Sequence, residues 1–267
     1  MYETLEATHT HGLARITLNR PSVHNAFNDA LVRELTQALE AAENDDAVQA
    51  VLLAGAGKSF CAGADTRWMR GMARASEQEN REDALRLARM LRTLQFLAKP
   101  TLAKVHGAAF GGGVGLLACC DIAIGAESAR LALSEVKLGL VPATIAPYVV
   151  AAIGLRQARR LFVTGEIFDA RHATQIGLLH ECVADDALDT HVERLLQALL
   201  QTAPGARREA KRLALAMGGM DRQEAERIDG CNADLIARLR VGEEGQEGLG
   251  AFLDKRKPAW LADRETS

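Results

Sequence analysis

An α/β fold built from repeated strand and helix units is what this sequence predicts, on three observations. Short apolar runs of strand length, at residues 50–54, 100–105 and 122–125, alternate with stretches whose apolar residues recur at helical spacing. Two of the runs lead into glycine loops, at 55–63 and 111–113. A chain of 267 residues with 48% hydrophobic content can bury one large core, or a domain with an appendage.

Taken in order, residues 13–19 alternate apolar and polar side chains like a half-buried strand, which Pro21 then stops. Asn28 is placed to cap a helix carrying Leu31, Leu35, Ala38, Leu39 and Ala42 on one face, ended by the polar cluster 43–46. With the strand at 50–54 this makes a strand, helix, strand order, as in a crossover between near-parallel strands. A short helix is expected after Asp65, with Arg67, Arg70 and Arg74 at helical spacing; Ser76-Glu77-Gln78-Glu79 then reads as a capping box opening a second helix to about residue 97. Residues 100–105, 122–125 and 129–133 read as further strands. Beyond Pro142 the pattern turns helical: 146–153, 155–164, a segment capped by Asp169, and 186–201 after a strand at 180–183. From Pro204 onward the chain is charged and helix-forming. Its amphipathic stretch 221–239 has no strand nearby to pack upon and must bury its face elsewhere, so a boundary is placed near Thr202, between a core of residues 1–201 and a helical region of residues 202–267.

The net charge of −3 gives no global reason to expect nucleic acid or membrane partners, and no apolar run is long enough to span a bilayer. The first twelve residues carry two glutamates and no apolar or arginine-rich segment, so they read as neither signal nor transit peptide, and a soluble cytoplasmic protein is expected. Five cysteines, including adjacent Cys119 and Cys120, lack paired spacing and read as small buried hydrophobes. None of the seven histidines is paired at metal-ligand spacing, which argues against a metal site; His106 reads as a structural hydrogen bonder. Arg86, Arg89 and Arg92 share one side of the second helix. They could form a comb for RNA or for the phosphates of a nucleotide-bearing ligand, but Glu77, Glu79, Glu82 and Asp83 beside them favour a solvated, charge-balanced face.

The glycine loops carry the chemistry. Gly111-Gly112-Gly113 lets the backbone approach a ligand with no Cβ in the way, and the amides opening the following helix are unpaired, with the positive end of the dipole behind them. That describes a seat for an anion or oxyanion, although a phosphate cradle or a tight strand-to-helix connection has the same form. A dinucleotide fingerprint fails in detail: Gly115 comes too soon for the third glycine, and Lys58-Ser59 lacks the Walker spacing. Asp65 opens a helix, where a carboxylate caps orphan amides. Glu135 lies in the mostly apolar run Leu133-Ser134-Glu135-Val136, a setting that raises a carboxyl toward useful acid/base values.

The stretch Phe60-Cys61-Ala62-Gly63-Ala64-Asp65, with Gly111-Gly112-Gly113, resembles the enoyl-CoA hydratase/isomerase (crotonase) family. The match runs from Leu18-Asn19-Arg20-Pro21 and Asn25-Ala26-Phe27-Asn28, through Cys120-Asp121 and Glu135 to Leu140, to Glu247-Gly248-Leu249 and Phe252 to Arg256, covering nearly the whole chain. The resemblance implies a superhelical spiral with a C-terminal helical trimerisation region packed on other subunits, as a homotrimer or a dimer of trimers. It implies an enoyl-CoA hydratase, or alternatively a double-bond isomerase or an RNA-binding member, needing no cofactor beyond the coenzyme A of its substrate. It assigns the oxyanion donors to the backbone amides of Ala64 and Gly112, and the catalytic carboxylate to Glu135. It places Asn25, Ala26, Lys58, Phe60, Ala62, Asp65, Gly111 and Gly115 around the substrate, and Phe252 and Lys255 at the CoA nucleotide of a neighbouring subunit. Two departures stand out. Gly115 occupies the position of the second glutamate of hydratases, and Val141-Pro142-Ala143-Thr144-Ile145-Ala146-Pro147 replaces the usual glycine-rich run. Together they are similar to the subgroup acting on branched, carboxylated enoyl-CoAs of the methylglutaconyl or isohexenylglutaconyl type, with Arg67 or Arg70 as possible partners of a distal carboxylate.

Overall fold

The structure, a computed structural model, describes residues 2–262; position 1 and positions 263–267 of the expected helical region lie outside the described residues. In chain order the elements are β1 (Leu5–Thr10), β2 (Leu13–Leu18), α1 (Asp29–Asn44), β3 (Ala50–Gly55), α2 (Thr66–Arg74), α3 (Glu77–Gln95), β4 (Thr101–Val105), β5 (Ala108–Phe110), α4 (Gly112–Ala118), β6 (Ile122–Ala126) and β7 (Arg130–Ala132). There follow α5 (Ala146–Thr164), β8 (Ile167–Asp169), α6 (Ala170–Gln175), β9 (Glu181–Val183), α7 (Leu188–Leu200), α8 (Pro204–Met217), α9 (Arg222–Val241), α10 (Glu243–Leu253) and α11 (Ala259–Ala262).

Six strands form one sheet in the order β1-β2-β3-β4-β6-β9, parallel throughout except for the β1 and β2 pair; β5, β7 and β8 form a second, smaller sheet. After β3 the chain gives a strand to each sheet in turn, β4 then β5 and β6 then β7, so successive turns stack as a spiral. Both faces of the large sheet are covered, which is why its strands read as continuous apolar runs. Val51, Leu53, Ala103 and Ala123 point into the main core with α1, α3 and α4, while their neighbours Ala50, Leu52, Leu102 and Ile124 pack on Leu188, Val192 and Leu196 of α7.

The expected caps form. Asn28 Oδ1 accepts from Leu31 N–H at 2.9 Å, and Ser76 and Glu79 close the capping box at the head of α3. The two helices expected at 146–153 and 155–164 form one run broken at Gly154, whose φ of 72° with ψ of 158° is a combination essentially restricted to glycine. Three strands escaped the sequence reading. β1 buries only Leu5, so it shows no alternation, and β5 and β8 have three residues each.

The C-terminal helices hold the main surprise. The face of α9 that had been expected to bury itself on other subunits (Ala225, Ala233, Ile236, Ala237) packs within the same chain, on α3 and α2. Arginines and aspartates join α3 to α9 in opposite directions along the two helices: Arg92 to Asp229, Arg81 to Asp234, and Asp83 to Arg240 at 2.9 Å. The arginine comb is thereby used up: Arg92 also meets Glu226, Arg89 meets Glu40 at 2.9 Å, and Arg86 lies near Asp83 and Asp29. Of the acids expected to balance it, Asp83 alone does so among the described residues; the others come from α1 and α9. Cys61, Cys119 and Cys120 are buried as expected, whereas Cys231 is exposed.

Candidate active site

Two loops meet to build the site. The loop after β3 is laid against β5 by Cys61 N–H donating to Ala108 C=O and Phe110 N–H donating to Cys61 C=O at 2.9 Å. The same loop pairs with the segment before α1: Phe27 N–H donates to Gly63 C=O at 2.7 Å, and Asp65 N–H to Phe27 C=O at 2.8 Å. Those two bonds bracket Ala64 and leave its own N–H without a partner among the described residues. Gly112 opens α4, so its N–H has no acceptor one turn earlier and is likewise unpartnered among them.

Glycine is required around this seat. Gly111, with φ +49° and ψ −116°, caps α4, and a Cβ there would come within 3.0 Å of Glu135 Oε1. A Cβ on Gly113 would lie 2.3 Å from Cys61 C=O, so the two loops could not approach as they do. At Gly112 a Cβ would stand 2.5 Å from the Phe27 ring, so a larger residue there displaces Phe27 rather than reaching straight into open space.

Glu135 follows β7 at the start of a short 3-10 turn (Glu135–Leu138). Its Oε2 is buried with no hydrogen-bond partner among the described residues. Burial, partly offset by its own backbone N–H, pushes its carboxyl up to about 7. Asp65 shows the opposite balance: burial would raise it, but the hydrogen bond from Arg20 at 2.7 Å and the amides of Arg67 and Trp68 hold it below its ordinary value. Asp65 Oδ1 accepts from Arg67 N–H at 2.8 Å, the capping role expected of it.

Between these elements lies a cavity of about 330 Å³, mostly apolar, whose wall includes Ala62, Ala64, Gly111, Gly112, Glu135 and Phe252. The other expected site residues stand outside that wall. Asn25 is buried and holds the loop, accepting from Arg20 N–H and donating to the carbonyls of Ala56 and Ser59. Ala26 and Phe60 are core residues, Asp65 caps α2, and Lys58 and Lys255 are exposed. Gly115 is covered by Ile145, whose Cγ2 lies 2.3 Å from where a Cβ would stand, so position 115 is sealed from the cavity. Phe252, expected at a neighbouring subunit's ligand, lines the cavity of its own chain. It does so because α10 folds over the turn after Glu135, with Gly248 pressed against Leu138.

Sequence reasoning missed much of the apolar wall: Phe27, Trp68, Met69, Met72, Ile145 and Ile236. The spacing of Trp68, Met69 and Met72 behind the Asp65 cap was a helical-face signal; nothing in the pattern pointed Ile236 here. Arg67 and Arg70 are exposed and stand off the wall, where Arg240 appears instead, its guanidinium 5.8 Å from the Trp68 ring centroid. His106 Nε2 lies 3.0 Å from Gly57 C=O, in line with a structural role.

Comparisons with known proteins find relatives along nearly the whole chain. A family model described as enoyl-CoA hydratase/isomerase matches residues 8–263. A putative enoyl-CoA hydratase of Thermus thermophilus is 35% identical over 92% of this chain and 96% of its own length. A 2,3-dehydroadipyl-CoA hydratase of Escherichia coli is 32% identical, covering 91% of this chain and 92% of its own. The crystal structure of an enoyl-CoA hydratase from Shewanella pealeana superposes with a TM-score of 0.79 at 43% identity, over 97% of this chain and 96% of that one.

Proposed function

The chain belongs to the enoyl-CoA hydratase/isomerase family and is an enoyl-CoA hydratase, and from that premise we infer that Ala64 and Gly112 receive the thioester oxygen while Glu135 moves the protons. The observation that carries this reading is the meeting, in one apolar cavity, of two unpartnered backbone amides with an unpaired carboxyl raised to about 7. Water gives a proton to Glu135 and bonds to C3, and the C2–C3 electron pair moves through C1 onto the thioester oxygen. Glu135 then returns the proton to C2. The two N–H donors meet the charge that develops on that oxygen, each commonly worth roughly a hundred- to a thousandfold in rate in a site of this kind. The scheme draws on no cofactor beyond the coenzyme A carried by the substrate.

For the acyl group we propose a branched or carboxylated chain. Arg240 on the wall, tied to Asp83 and beside Trp68, supports a polar distal end in the place expected for Arg67 or Arg70. Lys58 and Lys255, exposed outside the cavity, suit the phosphates of coenzyme A. Self-association as a trimer or a pair of trimers draws support from exposed Leu155, Val163 and Ile167 on α5 and β8.

A panel of 2-enoyl-CoAs, including branched and dicarboxylic chains, incubated in ¹⁸O-labelled water and read by mass spectrometry tests the reaction. A 3-hydroxyacyl product carrying the solvent oxygen is expected. Conversion to a 3-enoyl product with no added oxygen would overturn hydration in favour of isomerisation.

A further inference from the structure

We propose that Thr144 positions the attacking water, its hydroxyl holding that water toward C3 while Glu135 takes the proton; this rests on the hydratase reading above. The first turn of α4 presents Gly111 and Gly115 one above the other, joined by Gly115 N–H donating to Gly111 C=O at 3.1 Å. Glu135 Oε1 occupies the space over Gly111, and the Ile145 methyl occupies the space over Gly115. One helical turn along α4 from the position Glu135 covers, the covering group is therefore hydrocarbon. A water that gives one proton to Glu135 and one lone pair to C3 still has a proton and a lone pair to satisfy, and a second polar group must fix its orientation.

Thr144 meets that need. It directly precedes Ile145 in the chain and lines the same cavity, and its hydroxyl takes no hydrogen-bond partner among the described residues. A hydroxyl can accept the second proton or donate to the second lone pair. The rival groups on the wall suit the task less well. Arg240, engaged by Asn80 and Asp83, is the group assigned above to the distal end of the acyl chain. Lys137 is exposed, and Ser134 caps the turn that carries Glu135. Thr144 lies beyond the turn at Gly139, away from Glu135 in the chain, and lines the same cavity. Through the step Thr144 neither gains nor loses a proton, and it finishes bonded to the new 3-hydroxyl group.

The test compares wild type, Thr144→Val, Thr144→Ser and Ser134→Ala in hydration of an enoyl-CoA that the wild type turns over, with melting temperatures beside the kinetics. Thr144→Val keeps the shape and loses the hydroxyl. Its kcat should fall roughly ten- to a hundredfold, the worth of one oriented hydrogen bond in a desolvated site, with KM within about twofold. Thr144→Ser should recover to within about threefold of wild type. If Thr144→Val lowers the melting temperature, Thr144→Ala is read in its place. An unchanged kcat without the hydroxyl, no rescue by serine, or a loss confined to Ser134→Ala would each overturn the assignment. A wild type that adds water to no enoyl-CoA would instead fail the hydratase reading on which it rests.

Discussion

Among the described residues, acids whose carboxyls burial pushes up occur in two regions of this molecule, and their company differs. In the α3 and α9 interface Asp83 and Asp229 are each 2% exposed, and burial pushes both carboxyls up. Each is met by arginine: Asp83 by Arg240 and Arg86, Asp229 by Arg92. In the cavity wall Glu135 is pushed up by the same cause and meets no cation among the described residues. The contrast separates two uses of an expensive group. A paired buried acid locks two helices together, whereas an unpaired one, kept near neutrality beside a cavity, is free to exchange protons with what enters.

The largest effect should come from removing the unpaired acid. Glu135→Gln keeps the shape and abolishes proton transfer, so turnover should fall about a hundred- to ten-thousandfold, while circular dichroism and the melting temperature stay at or above those of the wild type. Should turnover survive, Glu135 is no more than another structural acid and the contrast collapses.

The interface should answer in the other currency, stability. Arg92→Met leaves Asp229 buried without its cation and should cost about 3 kcal/mol in urea unfolding, with kcat per folded molecule unchanged. A variant that stays stable would mean that Asp229 simply takes up a proton when its partner is lost.

A smaller, pH-dependent difference sharpens the comparison. Glu135 titrates near 7 in the folded chain and near its ordinary value of 4.5 when unfolded. Between those values the unfolded state binds fewer protons than the folded one, so stability falls as pH rises, and the penalty is complete above about 7. Glu135→Gln lacks the penalty, so the variant should gain on the wild type across this window, by on the order of 1–3 kcal/mol. Because the base must be ionised, wild-type kcat/KM should rise about tenfold per pH unit and level off above about 7. A flat profile over that range would remove Glu135 from the role of base.

What the sequence by itself determined is local. Side-chain caps at Asn28, Asp65, Ser76 and Asp169, the glycine loops and the break at Gly154 depend on residues within a few positions of one another, and all were legible and are present. The apolar runs were legible as strands for the same reason: period and composition are properties of a short stretch. The tertiary structure decided what lies opposite each face. An amphipathic pattern says that α9 must be covered, but not that α3, more than a hundred residues earlier, does the covering or that Ile236 and Arg240 thereby reach the cavity. Sequence marked Gly115 as a missing acid, and only packing showed the Ile145 methyl in its place. Glu135 stood out in its apolar run, but its solitude had to be seen in three dimensions, because an arginine that would have paired with it could have come from anywhere in the chain.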